Sequence, residues 1–202
     1  MRTDWYVFLA AGIFVGIFVY GCIAWCLFAY RDRSNRTAEQ FSENRPLEIL
    51  YVVLPFAMVV GLFAVTLAME LRVDRVVAAP PNRVSVTAFR WSWRFEYPNG
   101  LATSGTPMVP PTLYLPVGEP TEIDLRSDDV THSFWVPAFL FKRDAIPGMT
   151  NVFDLTPTRL GTFSGRCAQF CGLDHATMTF VVRTVPRLAY ERYLATNGTA
   201  LP

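Results

Sequence analysis

The feature that most constrains this chain is a run of 26 residues without a charged side chain, from Trp5 to Tyr30. At about 1.5 Å per residue a helix of that length measures about 39 Å, which exceeds the ~30 Å hydrocarbon thickness of a bilayer. A secretory signal peptide has a shorter apolar region, of about 7 to 15 residues, followed by small residues at a cleavage site. This run ends instead at Arg31 and Asp32, so the sequence predicts a membrane anchor.

A second uncharged run lies a short distance further along the chain. It covers the 21 residues from 49 to 69, between Glu48 and Glu70, and a helix of this length spans the same thickness with little tilt. Pro55 inside the run predicts a bend. We therefore expect residues 1–71 to form a transmembrane hairpin, with spans at residues 5–30 and 49–69.

Basic residues in the connector between the two runs indicate the orientation of the hairpin. Short loops that are enriched in Lys and Arg stay on the cytoplasmic side of a membrane. The connector, residues 31–46, contains Arg31, Arg33, Arg36 and Arg45. We expect this connector to be cytoplasmic and residues 72–202 to form an extracytoplasmic domain.

Composition excludes some classes of protein. The chain is 51% hydrophobic and 17% charged, which is too apolar for a disordered protein. Its 18 Lys and Arg nearly balance 17 Asp and Glu, for a formal net charge of +1. Without an excess of positive charge, the sequence does not favour a nucleic-acid partner.

The residues beyond the hairpin have the character of β-strands. Residues 84–95 are rich in β-branched and aromatic side chains without a helical period, which predicts β-strand structure. Further strands are expected at residues 112–117, 121–127, 133–136, 151–156, 161–166 and 177–185, between turns that contain Gly and Pro. Pro186 suits the start of a short helix over residues 187–196. Many short strands predict an all-β sandwich or small barrel.

Both histidines of the chain belong to a cluster of metal-ligating residue types. His132 and His175 lie near Cys167 and Cys171 in the sequence, and Met178 follows three residues after the second histidine. Soft sulfur ligands combined with imidazole favour copper and redox chemistry. The set has more ligands than one copper of the blue type uses, whereas two coppers that share both cysteine sulfurs would use all of them.

Two other interpretations of the cluster remain open on the residues alone. Cys167 and Cys171 could form a disulfide in an oxidising compartment, with the other members as ordinary core residues. A zinc site is the second alternative, although zinc rarely binds methionine and the spacing is not that of a zinc finger. A disulfide would explain neither the two histidines nor the thioether, so copper is favoured.

Two further stretches make the pattern more specific. Residues 129–137 read Asp-Val-Thr-His-Ser-Phe-Trp-Val-Pro, and residues 142–148 read Lys-Arg-Asp-Ala-Ile-Pro-Gly. Together with residues 167–178 they closely resemble subunit II of haem-copper cytochrome c oxidases, and the resemblance covers nearly the whole chain. It implies a membrane-anchored all-β protein, in which a two-helix transmembrane hairpin precedes a cupredoxin-like Greek-key β-barrel with a dinuclear copper A centre.

The resemblance also implies the role of each ligand. Cys167 and Cys171 would bridge the two coppers, and His132 and His175 would each bind one of them. The weak ligands would be Met178 on one copper and the backbone carbonyl of Gln169 on the other.

Gln169 is where this chain departs from the family pattern. The family usually has a glutamate there, whose carboxylate also binds a magnesium ion at the contact with subunit I. A neutral amide oxygen is a poorer ligand for a hard cation. We therefore expect the interfacial magnesium to be weakly bound or missing.

Two residues outside the cluster acquire roles only through the resemblance. Trp91 is similar to the tryptophan at which electrons enter from cytochrome c, whereas the sequence pattern alone favours a core residue of a strand. Glu48 is similar to a glutamate at the mouth of a proton path into subunit I. An acidic residue at a helix start also stabilises the helix dipole, so both interpretations of Glu48 stay open.

The expected function is electron transfer in a terminal respiratory oxidase. The chain would accept electrons from a c-type cytochrome and pass them to haem in subunit I, where oxygen is reduced to water. Its partners would be subunit I, other oxidase subunits and the lipid bilayer, in the plasma (inner) membrane of a bacterium. The alternatives are the corresponding subunit of a nitric oxide reductase and a membrane-tethered copper carrier.

The charge of the outer domain bears on the donor. Residues 72–202 contain 13 Lys and Arg against 11 Asp and Glu, so the domain as a whole is not acidic. A local group of acidic residues could still steer a basic cytochrome. This acidic group consists of Glu119, Glu122, Asp124, Asp128 and Asp129.

Overall fold

The computed structural model of the protein describes residues 2–31 and 42–199. The chain divides into two compact units, Met1–Arg72 and Val73–Pro202, and each is considered by itself. Arg33 and Arg36 of the connector lie outside the described residues, so their place on the cytoplasmic side stays a prediction.

The first unit contains helix α1 (Arg2–Ala29) and helix α2 (Arg45–Val73). Both are long and apolar enough to cross a membrane, and none of the apolar stretch of either helix is buried inside the chain. A core helix of a soluble protein would be largely buried, so these exposed apolar surfaces fit a lipid environment.

Helix α2 begins with a reciprocal cap. The Asn44 side-chain oxygen accepts a hydrogen bond from the Leu47 amide at 3.3 Å, and the Glu48 carboxylate accepts one from the Asn44 amide at 3.2 Å. This cap satisfies backbone donors that have no partner within the helix. It also explains why the helix begins at Arg45, ahead of the uncharged run.

The second unit is a sandwich of two five-stranded sheets. The strand orders are β3-β2-β1-β5-β8 and β4-β10-β9-β6-β7. The strands described are β1 (Asn82–Phe89), β2 (Ser92–Glu96), β3 (Ala102–Ser104), β4 (Thr112–Pro116), β5 (Thr121–Ser127), β6 (His132–Val136), β7 (Phe141–Ala145), β8 (Asn151–Leu155), β9 (Gly161–Cys167) and β10 (Thr179–Val185). A short helix, α3 (Arg187–Ala195), follows β10.

Aromatic side chains from both sheets form the core. The Trp93 ring on β2 contacts the Phe134 ring on β6 with centroids 5.8 Å apart, and Phe95 meets Phe180 of β10 at the same distance. All four side chains are fully buried or nearly so. These contacts join the two sheets face to face, in agreement with the predicted all-β class.

Residues 84–95, predicted to be β-structure, form two strands separated by a turn. The chain turns at Arg90 and Trp91, and β1 pairs with β2 as an antiparallel hairpin. Because β-branched and aromatic residues continue on both sides of this turn without Gly or Pro, the sequence gives no turn signal there. The consequence is that Trp91 lies at the tip of a hairpin and not within a strand.

Strand β7 was not predicted, because its charged residues mask the alternation of buried and exposed side chains that is typical of a strand. Phe141 and Ala145 are buried, while Lys142 and Asp144 face outward. Strand β3, also not predicted, has only three residues. Strand β10 begins at Thr179, two residues later than predicted, because a 3₁₀ turn precedes it.

Candidate metal centre

The two strands that carry His132 and Cys167 are neighbours in one sheet. His132 is the first residue of β6 and Cys167 the last residue of β9, and these strands pair antiparallel, with Phe134 opposite Cys167. The Ala168 amide also donates to the Ser133 carbonyl at 3.0 Å. Backbone pairing therefore fixes the separation of two side chains that are 35 positions apart in the sequence.

The remaining candidate metal ligands lie on the loop from Cys167 to Met178, here called the copper loop. At its base the Cys167 amide donates to the Met178 carbonyl at 2.9 Å. The residues His175–Thr177 form a 3₁₀ turn, and the His175 amide donates to the Gly172 carbonyl at 3.2 Å. These hydrogen bonds fold the loop back on itself, so the side chains of its four candidate metal ligands can converge.

The predicted ligand atoms converge on one small volume. The two cysteine Sγ atoms are 3.9 Å apart, Nδ1 of His132 is 3.8 Å from Sγ of Cys167, and Nδ1 of His175 is 3.5 Å from Sγ of Cys171. Sδ of Met178 lies 3.7 Å from Sγ of Cys171. The ligand atoms of His132, Cys167 and Cys171 all lie within 4.8 Å of one another, and all three residues are buried.

Gln169 contributes its backbone to this volume. Its carbonyl oxygen lies 3.2 Å from Sγ of Cys167, whereas the residue as a whole is exposed. The predicted role of the carbonyl needs no particular side chain.

This donor set fits a copper site better than the alternatives. Both cysteines are free thiols, so the structure does not contain the alternative disulfide. Two thiol sulfurs, two imidazole nitrogens and a thioether gathered in one pocket form a donor set suited to copper, and zinc rarely takes methionine.

The two thiols are electrostatically different. Burial opposes ionisation of Cys167, but hydrogen bonds from His132 and from backbone groups outweigh it and lower the pKa of this thiol. Burial and the neighbouring Cys167 raise the pKa of Cys171. Because a metal binds thiolates, its uptake must release protons, and Cys167 is the thiol that ionises first.

Asp129, which sequence reasoning did not assign to the site, orients one ligand. Its Oδ1 lies 2.8 Å from Nε2 of His132, and its Oδ2 accepts hydrogen bonds from the Arg90 amide at 2.7 Å and from Arg90 Nε at 3.3 Å. Burial opposes ionisation, but hydrogen bonds from His132, Val130 and Arg90 lower the pKa of the Asp129 carboxyl to about 2. The signal available in the sequence was an acid three residues before a candidate histidine ligand.

Trp91 contacts the copper loop directly. Its indole Nε1 donates to the Cys171 carbonyl at 3.2 Å. A Cβ atom on the next residue, Gly172, would lie 3.2 Å from the indole, and Gly172 has a φ of +118° that favours glycine. Trp91 is half-buried, so it connects the edge of the metal pocket to the surface.

Glu48 takes no part in the metal pocket. It lies in α2 of the first unit, where its carboxylate caps the helix start as described above. That capping contact agrees with the simpler of its two predicted roles and does not test the proton path.

Comparison with known proteins shows to which family this sequence belongs. A family described as "Cytochrome C oxidase subunit II, periplasmic domain" matches residues 108–185. A protein from Streptomyces coelicolor named "Probable cytochrome c oxidase subunit 2" is 36% identical over 227 aligned positions, which cover 92% of this chain and 71% of that protein. "Cytochrome c oxidase subunit 2" of Mycobacterium tuberculosis strain H37Rv is 30% identical over 267 positions, which cover 99% of this chain and 74% of that one.

The chain belongs to the cytochrome c oxidase subunit II family. The predicted family is thereby confirmed, and with it the prediction of an oxidoreductase subunit. The family generally binds copper A, which agrees with the chemistry of the donor set. A nitric oxide reductase subunit and a copper carrier are not favoured.

Solved structures confirm the predicted fold class of this subunit II. The crystal structure of the periplasmic domain of subunit II of cytochrome oxidase (CoxB) of Bradyrhizobium japonicum is 27% identical with a TM-score of 0.56, and the match covers 60% of this chain and 96% of that one. A chain of a heme-copper terminal oxidase dimer has a TM-score of 0.53 at 21% identity, over 69% of this chain and 99% of that one, and shows the same fold. The protein is therefore membrane-anchored, with its β-domain on the extracytoplasmic side.

Proposed function

We propose that this subunit II accepts electrons from a c-type cytochrome at a dinuclear copper centre held by its copper loop and His132, and passes them to haem in subunit I. The observation that carries this proposal is the convergence of the two thiols, two imidazoles and one thioether on one pocket, in which every ligand except the half-buried His175 is buried. When bound, such a centre supplies one-electron redox chemistry.

Each ligand residue has a distinct part in this proposal. Cys167 and Cys171, with sulfurs 3.9 Å apart, would provide the two bridging thiolates. His132 and His175 approach different cysteines through Nδ1, which suits one imidazole for each copper. Met178 would be a weak ligand to one copper and the Gln169 carbonyl to the other.

The surrounding residues keep the ligands in place and exclude water. His132 and Met178 are fully buried, and the Trp93 ring meets the His132 imidazole edge to face at a centroid distance of 6.4 Å. Asp129 holds the Nε2 side of the imidazole, so Nδ1 faces the thiols. Ligands fixed by strands and hydrogen bonds cannot rearrange much between redox states, which keeps the reorganisation energy of electron transfer low.

Trp91 is the proposed site at which electrons enter. Its hydrogen bond to the Cys171 carbonyl and its half-exposed position give a short route from the surface to a ligand. The indole acts as a path and not as a ligand in this proposal.

The first unit is proposed to be the transmembrane hairpin, residues 1–71, with residues 31–46 on the cytoplasmic side and residues 72–202 outside. It would anchor the copper domain beside subunit I in the plasma membrane. Glu48 is placed at the membrane boundary, where the mouth of a proton path is a second role beyond its capping contact.

Rapid mixing of the oxidase complex with a reduced c-type cytochrome tests the function. We expect oxidation of the cytochrome and reduction of the copper to occur together, followed by haem reduction and then oxygen uptake. Consumption of nitric oxide without oxygen uptake would instead indicate a reductase subunit. Loss of the copper to a mild chelator at the rate of enzyme turnover would indicate a carrier.

A further inference from the structure

The two acidic residues beside Trp91 are paired with arginines. Asp129 lies 3.3 Å from Nε of Arg90, and Asp128 lies 3.3 Å from Nη2 of Arg94. Both arginines belong to the hairpin that carries Trp91. Their positive charges oppose the acidic charges within a few ångströms, so the field of each pair decays faster than that of a single charge.

The same arrangement continues along strand β2. Glu96 lies 3.6 Å from Nε of Arg94 and 3.4 Å from Nη2 of Arg126. Three arginines and three acids therefore alternate on the surface beside Trp91. Exposed pairs of this kind add little to stability, but together they leave almost no net field.

The other members of the predicted acidic group are paired as well. Glu119 lies 2.7 Å from Arg187, and Arg83 forms ion pairs with Glu122 and Asp124. Glu119 precedes β5 and Asp128 follows it, and a seven-residue strand measures about 23 Å. The expectation that five acids form one steering cluster is therefore corrected: they are separated along β5 and have arginine partners.

The surface next to Trp91 also exposes an apolar side chain. Leu173 follows the glycine against which the indole packs, and its side chain is 89% exposed. Asp174 comes next, and no basic side chain in the described part of the chain lies within 4.0 Å of it, so a single uncompensated acid lies beside this leucine. A large exposed aliphatic side chain beside a proposed electron path is typical of a contact surface.

We propose that the electron donor is a c-type cytochrome that docks on Trp91 and Leu173 through uncharged, apolar groups around its haem edge, without long-range electrostatic attraction. This rests on the proposed function, in which electrons enter at Trp91. Apolar contact is little affected by salt, whereas steering between opposite net charges is strongly weakened by it.

Salt dependence in the oxidase complex tests the proposal. The second-order rate constant for oxidation of a strongly basic reduced cytochrome is measured from about 0.01 M to about 0.15 M salt, where the Debye length falls from about 30 Å to about 8 Å. We expect a change of less than about threefold. A fall of about tenfold or more, as electrostatic steering gives, would overturn the proposal.

Arg94→Gln should create the steering that the natural surface lacks. It removes the partner of Asp128 and one of the two partners of Glu96, so the rate at low salt should rise about threefold while the rate at about 0.15 M salt stays unchanged. Arg187→Gln makes the same change in charge beside Glu119 and serves as the matched control, with no effect on either rate. If Arg94→Gln does not fold, Arg126→Gln removes the other partner of Glu96 and leaves Asp128 paired. No effect of the variant, or an equal effect of the control, contradicts the proposal.

Leu173→Ser tests the apolar contact. Loss of the side chain that the docked cytochrome would cover should raise KM for the cytochrome about tenfold at every salt concentration. Leu188→Ser is the matched control, because Leu188 is 76% exposed on α3, and it should leave KM unchanged. An unchanged KM in Leu173→Ser overturns this docking surface. If Trp91→Phe also leaves uptake unchanged, the proposed electron entry at Trp91 fails as well, whereas slower uptake in Trp91→Phe alone would show that only the docking surface is wrong.

Discussion

Nε2 of His132 lies 2.8 Å from Oδ1 of Asp129, which leaves Nδ1 of the same imidazole 3.8 Å from Sγ of Cys167. The carboxylate therefore determines which ring nitrogen faces the metal pocket. It also adds negative charge to the imidazole, which increases the basicity of a ligand.

Asp129→Asn should weaken copper binding by about 10- to 100-fold and raise the reduction potential, because a neutral amide stabilises the oxidised centre less. Competition with a copper chelator gives the affinity, and a redox titration followed by absorbance gives the potential. Asp128→Asn is the matched control, since Asp128 pairs with Arg94 and not with a ligand. Equal effects of the two variants would show that Asp129 acts only through its charge.

Trp91→Phe should slow electron uptake from the cytochrome at least about tenfold, or about 1.4 kcal/mol in activation free energy. The hydrogen bond from the indole to the Cys171 carbonyl is lost, while no ligand changes, so the copper spectrum should be preserved. Stopped-flow mixing measures uptake, and flash reduction measures onward transfer. Trp135→Phe, at a tryptophan that packs under Arg166, is the control. Normal uptake in Trp91→Phe would reduce Trp91 to a packing residue.

Gln169→Glu should raise the occupancy of an interfacial divalent cation without moving the copper spectrum much. The exposed side chain changes from a neutral amide to a carboxylate, the ligand that magnesium prefers, whereas the backbone carbonyl stays in place. Cells grown with manganese provide complex in which the cation can be counted by magnetic resonance. A tightly held, stoichiometric manganese in the unmodified complex would refute the weak-site prediction.

The buried tyrosines of α3 should make the outer domain sensitive to alkali. Burial, with Tyr193 and Glu119 nearby, raises the pKa of Tyr190 to about 12. The group's contribution to stability is complete below its unfolded pKa of about 10 and is lost as pH rises towards 12. Denaturant unfolding of residues 73–202 should show that Tyr190→Phe reduces this loss by on the order of 2 kcal/mol. The same alkaline loss in both proteins would contradict the prediction.

Local patterns in the sequence were sufficient for much of the site. Cys167, Cys171, His175 and Met178 lie within 12 positions of one another, so their spacing alone indicates one loop. The uncharged runs likewise indicate the two long helices, because length and charge decide whether a helix suits a bilayer.

Relationships between distant positions could not be predicted in the same way. Trp91 meets Cys171 from 80 positions away, and Arg90 meets Asp129 from 39 positions away. Both contacts depend on the turn at residues 90–91, which has no Gly or Pro to indicate it. The pairing of acids with arginines also depends on strand register, so a count of charges along the sequence suggested a cluster that the fold separates.

The most direct test of the central claim is the magnetic resonance spectrum of residues 73–202 loaded with copper. The crystallised CoxB periplasmic domain, to which the match covers 96% of the solved chain, shows that such a domain can be studied by itself. We predict two coppers per chain and a hyperfine pattern from one unpaired electron shared equally by two nuclei. One copper per chain, with hyperfine structure from a single nucleus, would contradict the dinuclear centre.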